Sequence, residues 1–374
     1  MAIKGIKMLP PCVKNEDALE IYEILARVNA KLGSIKSEFN HSVIGHQLVQ
    51  TLSLSESVQS TRIEGTQVTF TDAVEEKNNS NPSWEFIEIY NYQEALEEGT
   101  RLIKQGYPIS TRMIKKLHKV LMANARGTAD AGGEFRKIQN FIGPNNRIED
   151  AVYIPVISSK IDEYMENLEH FINSEKHSSF QKHKKEDMYV FDESSPTLVK
   201  TAIMHAQFES IHPFLDGNGR LGRILIVLNL IQDEIIDVPI FFVSEELEKE
   251  RSRYYDLLNS VRGESGEWKD WIKFFLTACD RLADSLCEKL KKIQDLAFKG
   301  LERCELDSEK DVWLYTFSDP FTTVSAVSKK LKYSQTTIRK ALRNLSEKEL
   351  LYSDKQSKRN IKYRNYDLMR ILVG

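Results

Sequence analysis

The sequence predicts a mostly helical protein whose core carries one short β-hairpin, followed by a winged helix-turn-helix pattern near the C-terminal end. Three observations carry this reading. Apolar residues recur at helical spacing in Ile44, Leu48, Val49, Leu52, Leu54 and Val58, again from Leu198 to Phe208, and again in Trp268, Trp271, Phe274 and Phe275. Ala151-Val152-Tyr153-Ile154-Pro155 is short, apolar and β-branched, as a hairpin strand would be. From Phe321 the chain turns basic and reads helix, turn, helix and two strands.

In chain order, residues 1–11 read as an irregular arm and roughly 16–58 as one or two long helices. Asn78 to Ser83 reads as a loop, and Trp84 to Gln105 as a helix. Gly106 to Ser110 is a turn whose serine can cap the helix beginning at Thr111. His177 to Pro196 is a polar, lysine-rich excursion, and Thr197 to Ile211 a helix. A long helix spans Trp268 to Leu306. Near the C-terminal end, Thr322 to Leu331 and Gln335 to Lys348 form two helices, the second with Ile338, Leu342 and Leu345 on one face. Leu350-Leu351-Tyr352 and Ile361-Lys362-Tyr363 make a wing around Asp354 to Arg359.

At 374 residues the chain can bury a sizeable core and hold two or three domains. A net charge of −3 demands neither nucleic acid nor a membrane surface, and no apolar run reaches the length of a membrane span. Cys12, Cys279, Cys287 and Cys304 show neither paired nor metal-ligating spacing, so reduced thiols and a cytoplasmic location are expected.

The chemistry concentrates in His212-Pro213-Phe214-Leu215-Asp216-Gly217-Asn218-Gly219-Arg220-Leu221-Gly222-Arg223. A general base needs an imidazole. A hard cation such as Mg²⁺ needs a carboxylate. Polyphosphate needs exposed backbone N–H groups at a helix start, backed by guanidiniums that grip its oxygens bidentately. All occur here in one loop. The glycines also satisfy the spacing of a dinucleotide fingerprint, with Asp237 downstream, but that fingerprint follows a β-strand, whereas a helical pattern precedes this one.

At every specified position the run resembles the signature of Fic-domain proteins, H-x-F-x-[D/E]-G-N-G-R-x-x-R. The resemblance implies an all-α Fic core with a small β-hairpin flap, and transfer of AMP from ATP to a Ser, Thr or Tyr hydroxyl of a target protein, or of the chain itself. It implies His212 as the base, Asp216 as the Mg²⁺ ligand and Phe214 as the inward anchor of the loop. Gly217, Asn218 and Gly219 would line the anion cradle, with Arg220, Leu221, Gly222 and Arg223 completing the nucleotide site. Gly133 to Gly143 is similar to the segment entering the flap, which would align a target by strand addition near Ala151 to Pro155. Arg251 to Leu258 is similar to the helix flanking the adenine, with Tyr255 the contact to base or ribose.

Ser60 and Glu64, one turn apart on a helix face, precede Gly65. Alone, this is a solvent-facing glutamate ahead of a helix-ending glycine. Beside the loop, Ser60-Thr61-Arg62-Ile63-Glu64-Gly65 resembles the family's autoinhibitory motif, in which Glu64 would pair with Arg223 and block the γ-phosphate.

The resulting organisation is an N-terminal helical region with the inhibitory helix (1–105), a Fic core (106–300) and a winged-helix-like unit (308–374). DNA contact and protein docking both suit the last unit, and a homodimer is compatible with the whole. Two other functions stay open beside AMP transfer: a nucleotide-sensing, DNA-binding transcriptional regulator, and AMP removal by the same site.

Overall fold

The structure, a computed structural model, describes residues 2–77, 81–124, 132–145, 147–180, 187–353 and 361–373. The chain begins with two short strands, β1 (Ile3–Lys4) and β2 (Cys12–Lys14), and then runs through helices α1 (Asn15–Asn40), α2 (Gly45–Ile63), α3 (Phe70–Glu76), α4 (Trp84–Lys104) and α5 (Thr111–Leu121). Strand β3 (Tyr153–Ile154), helix α6 (Ile161–Ile172) and strand β4 (Met188–Val190) lead to α7 (Thr197–Ile211) and α8 (Asn218–Gln232). Helices α9 (Ser244–Lys249), α10 (Arg251–Ser260) and α11 (Lys269–Glu302) follow. The C-terminal part comprises α12 (Asp307–Tyr315), β5 (Phe321–Thr322), α13 (Val324–Ser328), α14 (Gln335–Glu347), β6 (Tyr352–Ser353), β7 (Tyr363–Arg364) and α15 (Tyr366–Val373).

The centre is the α7–α8 pair. Every residue from Leu198 to Ile211 is buried, and α8 is buried from Arg220 to Ile231. Helices buried on all sides need neighbours on all sides. Helix α6 packs on α7, α4 and α5 pack on α8, and α11 lies along both α7 and α1. The six residues joining α7 to α8 therefore hang from two rigid, fully packed helices. Ser110 caps α5 as expected, accepting the Met113 N–H. Trp268, Trp271, Phe274 and Phe275 are all buried.

The strands depart from expectation. The arm over residues 1–11 is ordered: β1 pairs in parallel with β3, Ile3 opposite Tyr153. Tyr153 also meets Ile142 across an antiparallel bridge, so both edges of that strand are taken. A hairpin edge at Ala151 to Pro155 open to a target is thus not what forms; the outer edge on this side is Asn140 to Gly143. The polar excursion from His177 to Pro196 contains β4, which pairs with β2. Strands this short carry no periodicity, so the sequence pattern could not place them. Helix α7, rather than a strand, precedes the glycine-rich loop, and among the described residues there is no βαβ unit.

At the C-terminal end the sheet order is β5-β7-β6, all antiparallel, with α12 and α13 packed on α14. Ile338, Leu342 and Leu345 are buried as predicted. The expected wing tip, Asp354 to Arg359, lies outside the described residues, as do Asn78 to Ser80. Thr51 of α2 donates to the carbonyl of Phe317 at 2.7 Å, tying this part to the helix that ends at Glu64.

Candidate active site

The α7–α8 loop starts with His212 in left-handed conformation (φ 50°), its N–H still bonded to Phe208 O. Histidine is among the few non-glycine residues found there with any frequency. The turn is fixed from several sides. Phe214 is fully buried and stacks on His118 at 3.7 Å between ring centroids. Asn218 clasps Phe214 twice, its side chain accepting the Phe214 N–H and donating to the Phe214 carbonyl, both at 2.9 Å. Arg136 donates through Nε to His212 O at 2.9 Å. His118 Nδ1 accepts the Gly133 N–H, so its Nε2–H donates to Asp216 O at 3.0 Å. Burial lowers His118 to about 4, which keeps this tautomer neutral. Gly217 has φ 73°, and a Cβ there would come within 2.8 Å of Met122 Sδ.

A cavity of about 520 Å³ opens beside the loop, lined among others by His212, Gly219, Arg223, Tyr255 and Glu64. The first intrahelical bond of α8 is from Leu221 N to Gly217 O, which leaves the N–H groups of Asn218, Gly219 and Arg220 ahead of the ladder. His212 lies half-buried at the wall. Burial first, then the Arg262 guanidinium, lowers it to about 4, so it is a neutral acceptor at neutral pH.

Arg223 stands at the floor. It donates Nε to Ser60 Oγ at 2.7 Å and Nη2 to Ser60 O at 3.0 Å and to Glu64 Oε1 at 2.6 Å. Burial works against the Glu64 charge, but Arg223 and then Arg220 outweigh it and hold the carboxyl below its usual range. The two residues placed on one face of α2 by their spacing thus close on the same guanidinium.

Other expected ligands are not brought to the cavity. Arg220 is buried and paired with Glu88 at 3.1 Å, its Nη2 3.8 Å from Asp216. Leu221 is core. Gly222 packs under Glu209 and His205, where a Cβ would meet Glu209 Oε1 at 2.5 Å. The Asn218 side chain is consumed by Phe214, and Gly217 faces Met122; of these two residues only the Asn218 backbone N–H is left to serve an anion. Asp216 is half-exposed, with Oδ1 accepting the Gly217 N–H at 2.7 Å. Tyr255 lines the cavity, its hydroxyl 3.4 Å from Ile63 O.

The structure adds residues that the sequence did not single out. Arg262 holds the carbonyl of Glu209 and the Ser210 hydroxyl and stacks over Tyr153 at 3.9 Å. Glu209 is buried on the cavity wall with Oε1 unpartnered, and burial raises it to about 7. Neither sits in a motif; Glu209 is a single charged residue on α7 and Arg262 one in the turn just after α10.

The donor set fits a magnesium–nucleotide substrate on two counts, the space beside Gly219 and the Asp216 carboxylate. A Cβ at Gly219 would lie 2.2 Å from Glu64 Oε1 and 3.1 Å from Arg223 Nη1, so the space beside this glycine is where a carboxylate sits and where an anion of similar size would replace it. The half-exposed Asp216 carboxylate is of the hard oxygen type that Mg²⁺ takes.

Residues 22–101 match the Fic/DOC N-terminal family profile, and residues 108–230 match that of the Fic/DOC family itself. Among curated relatives, a protein adenylyltransferase Fic of Drosophila grimshawi is 24% identical over 277 residues, 73% of this chain and 48% of the relative. One of Drosophila virilis is 25% identical over 200 residues, 54% of this chain and 34% of the relative. The chain therefore spans about half or less of the length of these relatives. A Fic family protein from Desulfovibrio desulfuricans G20 superposes with a TM-score of 0.54 at 18% identity, covering 92% of this chain and 95% of that one. A Fic domain containing signaling protein from Bacteroides thetaiotaomicron gives 0.55 at 16% identity, over 71% of this chain and 97% of its own. At these identities the likeness is one of fold.

Proposed function

The chain is a Fic-domain protein, and we propose that it is a protein adenylyltransferase, moving AMP from ATP to a target-protein hydroxyl under restraint by Glu64. One observation carries the reading: the cavity that holds a neutral His212 also holds Arg223, occupied by the carboxylate of Glu64. His212 accepts the proton of the incoming Ser, Thr or Tyr hydroxyl. The oxygen forms a bond to the α-phosphorus, the bond to the β-phosphate oxygen breaks, and pyrophosphate leaves with its charge neutralised by Arg223. Bound at Asp216, Mg²⁺ would supply charge neutralisation between the phosphates. The N–H groups at the start of α8 hold phosphate oxygens, and Tyr255 offers a face to the base or ribose.

Glu64 competes with the phosphate for one guanidinium and repels the anion besides. Label transfer from ATP carrying ³²P at the α-phosphate tests this in four proteins: parent, Glu64→Gly, His212→Ala and the double variant. Transfer should rise in Glu64→Gly and vanish in the double variant. No label in any of them, on the chain itself or in a lysate, would move the reading to AMP removal or to the nucleotide-sensing regulator.

The C-terminal segment is read as a winged helix on the β5-β7-β6 order and the packing of α13 on α14. Gln335, Thr336, Arg339, Lys340 and Arg343 of α14 are exposed, a surface suited to duplex DNA. No helix among the described residues is long and apolar enough to cross a membrane.

A further inference from the structure

We propose that Glu166, His170 and His177 form a site for a divalent transition-metal ion of the zinc type, separate from the nucleotide cavity. Glu166 and His170 lie one turn apart on α6 and share a face. The helix ends at Ile172; Ser174 turns the chain at φ 59°, and the Glu175 N–H bonds back to His170 O at 2.9 Å. That return lays His177 over the same face, its ring stacked on His170 at 4.6 Å and 24°. One ligand atom from each of the three lies within 4.8 Å of the others. None of the three lines the cavity beside His212.

Two features favour an ion-binding cluster over finished ion pairs. His170 Nδ1 is buried and 3.0 Å from Glu175 Oε2, yet makes no aligned hydrogen bond. His177 Nε2 is 3.9 Å from Glu166 Oε1, beyond hydrogen-bond reach. The far side of the His177 ring, by contrast, is already held. Nδ1 accepts the Ser179 N–H at 3.2 Å and lies 2.6 Å from Ser179 Oγ, which in turn receives the Asn167 amide at 2.8 Å. Coordination through Nε2 places the ring proton on Nδ1, which then donates to Ser179 Oγ and gives up the longer 3.2 Å bond from the Ser179 N–H. A ligating histidine is usually oriented by an outer partner of this kind.

Two imidazoles and a carboxylate select Zn²⁺, Co²⁺ or Ni²⁺ over Mg²⁺, which wants oxygens in an octahedron. The Glu175 carboxylate or water completes four ligands. With ligands at ~2.0–2.2 Å from a tetrahedral ion, the donor atoms close to ~3.5 Å from one another, a small side-chain adjustment at half-exposed positions. The ion would pin the turn after α6 to the helix. Through Asn167, which bonds both the N–H and the carbonyl of Leu9, it would also brace the N-terminal arm.

The test uses the full chain, stripped with chelator in reducing buffer, titrated with Zn²⁺ by calorimetry and with Co²⁺ by visible absorption. The expected result is one saturable equivalent, visible bands of a nitrogen–oxygen site, and a Tm raised by Zn²⁺. Affinity should fall at least about 100-fold in His170→Ala/His177→Ala and persist in Asp216→Asn. His177→Gln, on the turn rather than the helix, gives the same comparison should the double variant unfold. No saturable equivalent, a thiolate charge-transfer band from the free cysteines, or undiminished binding in these histidine variants would overturn the site.

Discussion

Glu64 Oε1 lies 2.6 Å from Arg223 Nη2, and the arginine side chain is 1% exposed while that of the glutamate is 32% exposed. The buried partner is fixed by Ser60 and the half-open partner is the one that can leave. A charge-assisted hydrogen bond contributes about 1.5–3 kcal/mol, so its removal corresponds to roughly 10–150-fold. Glu64→Gly should therefore raise AMP transfer by at least about tenfold. Ser60→Ala, which frees Arg223 Nε but leaves the carboxylate in place, should raise it far less. Equal activation by both would mean that helix displacement, not the carboxylate, sets the restraint.

His212 titrates near 4 because burial and Arg262 disfavour its cation. The neutral base is then fully present from pH 5 upward, and activity at subsaturating ATP should stay flat from pH 5 to 8 on that account. Glu64 raises the His212 value slightly by its charge. In Glu64→Gly the acid limb should move lower still, never toward 6.5. A limb centred near 6.5 in that variant would show a solvent-exposed imidazole and a differently built loop.

His118 supports the loop by stacking on Phe214 and by two hydrogen bonds, from Gly133 N–H and to Asp216 O. His118→Phe keeps the stack and leaves a buried N–H and carbonyl unpaired, each costing about 1–3 kcal/mol. His118→Ala loses the stack as well and opens a cavity, adding about 2 kcal/mol or more. Urea unfolding should rank parent above His118→Phe above His118→Ala. Similar midpoints for the two variants would mean that the stack contributes little.

The loop's composition was legible in sequence because its parts are contiguous: an imidazole, a carboxylate, the N–H groups of a helix start and two guanidiniums fall within twelve residues. Glu64 was legible because helical spacing put it beside Ser60, and both meet Arg223. What failed depended on chain segments distant in sequence. Glu88, from α4, holds Arg220 away from the cavity, and no local pattern announces that pairing. Helix α7 and the turn after α10 bring Glu209 and Arg262 to the wall as isolated charges. The arm strand Ile3–Lys4 is two residues long and is defined by its partner, not by its own alternation.

Glu56 is buried, with Tyr92 donating to Oε1 at 2.9 Å and the Ser244 hydroxyl also bonded to it. Burial raises its carboxyl from 4.5 to about 7 despite these donors. A raised value means that the fold prefers the protonated form. The stabilisation is complete below about 4.5 and is lost as pH rises through 7, by about 3 kcal/mol in order of magnitude. Glu56→Gln removes this dependence. Between pH 5 and 9 the parent should lose stability relative to the glutamine variant in urea titrations. Parallel pH profiles would mean that Glu56 ionises freely.

Arg339 and Lys340 are exposed on α14, opposite the buried Ile338, Leu342 and Leu345. If α14 lies against a duplex, each cation that meets a phosphate releases counterions and steepens the salt dependence of binding by about 0.9 in logarithmic slope. The full chain should bind duplex DNA with affinity falling as salt rises. The Arg339→Ala/Lys340→Ala variant should then show a slope shallower by about 2. Arg343 is engaged with Glu347 at 2.8 Å, so Arg343→Ala should change the slope less. No binding at low salt, or a slope indifferent to Arg339 and Lys340, would assign this face to protein docking. The Thr51–Phe317 bond would then carry a docked partner's effect toward the helix that holds Glu64.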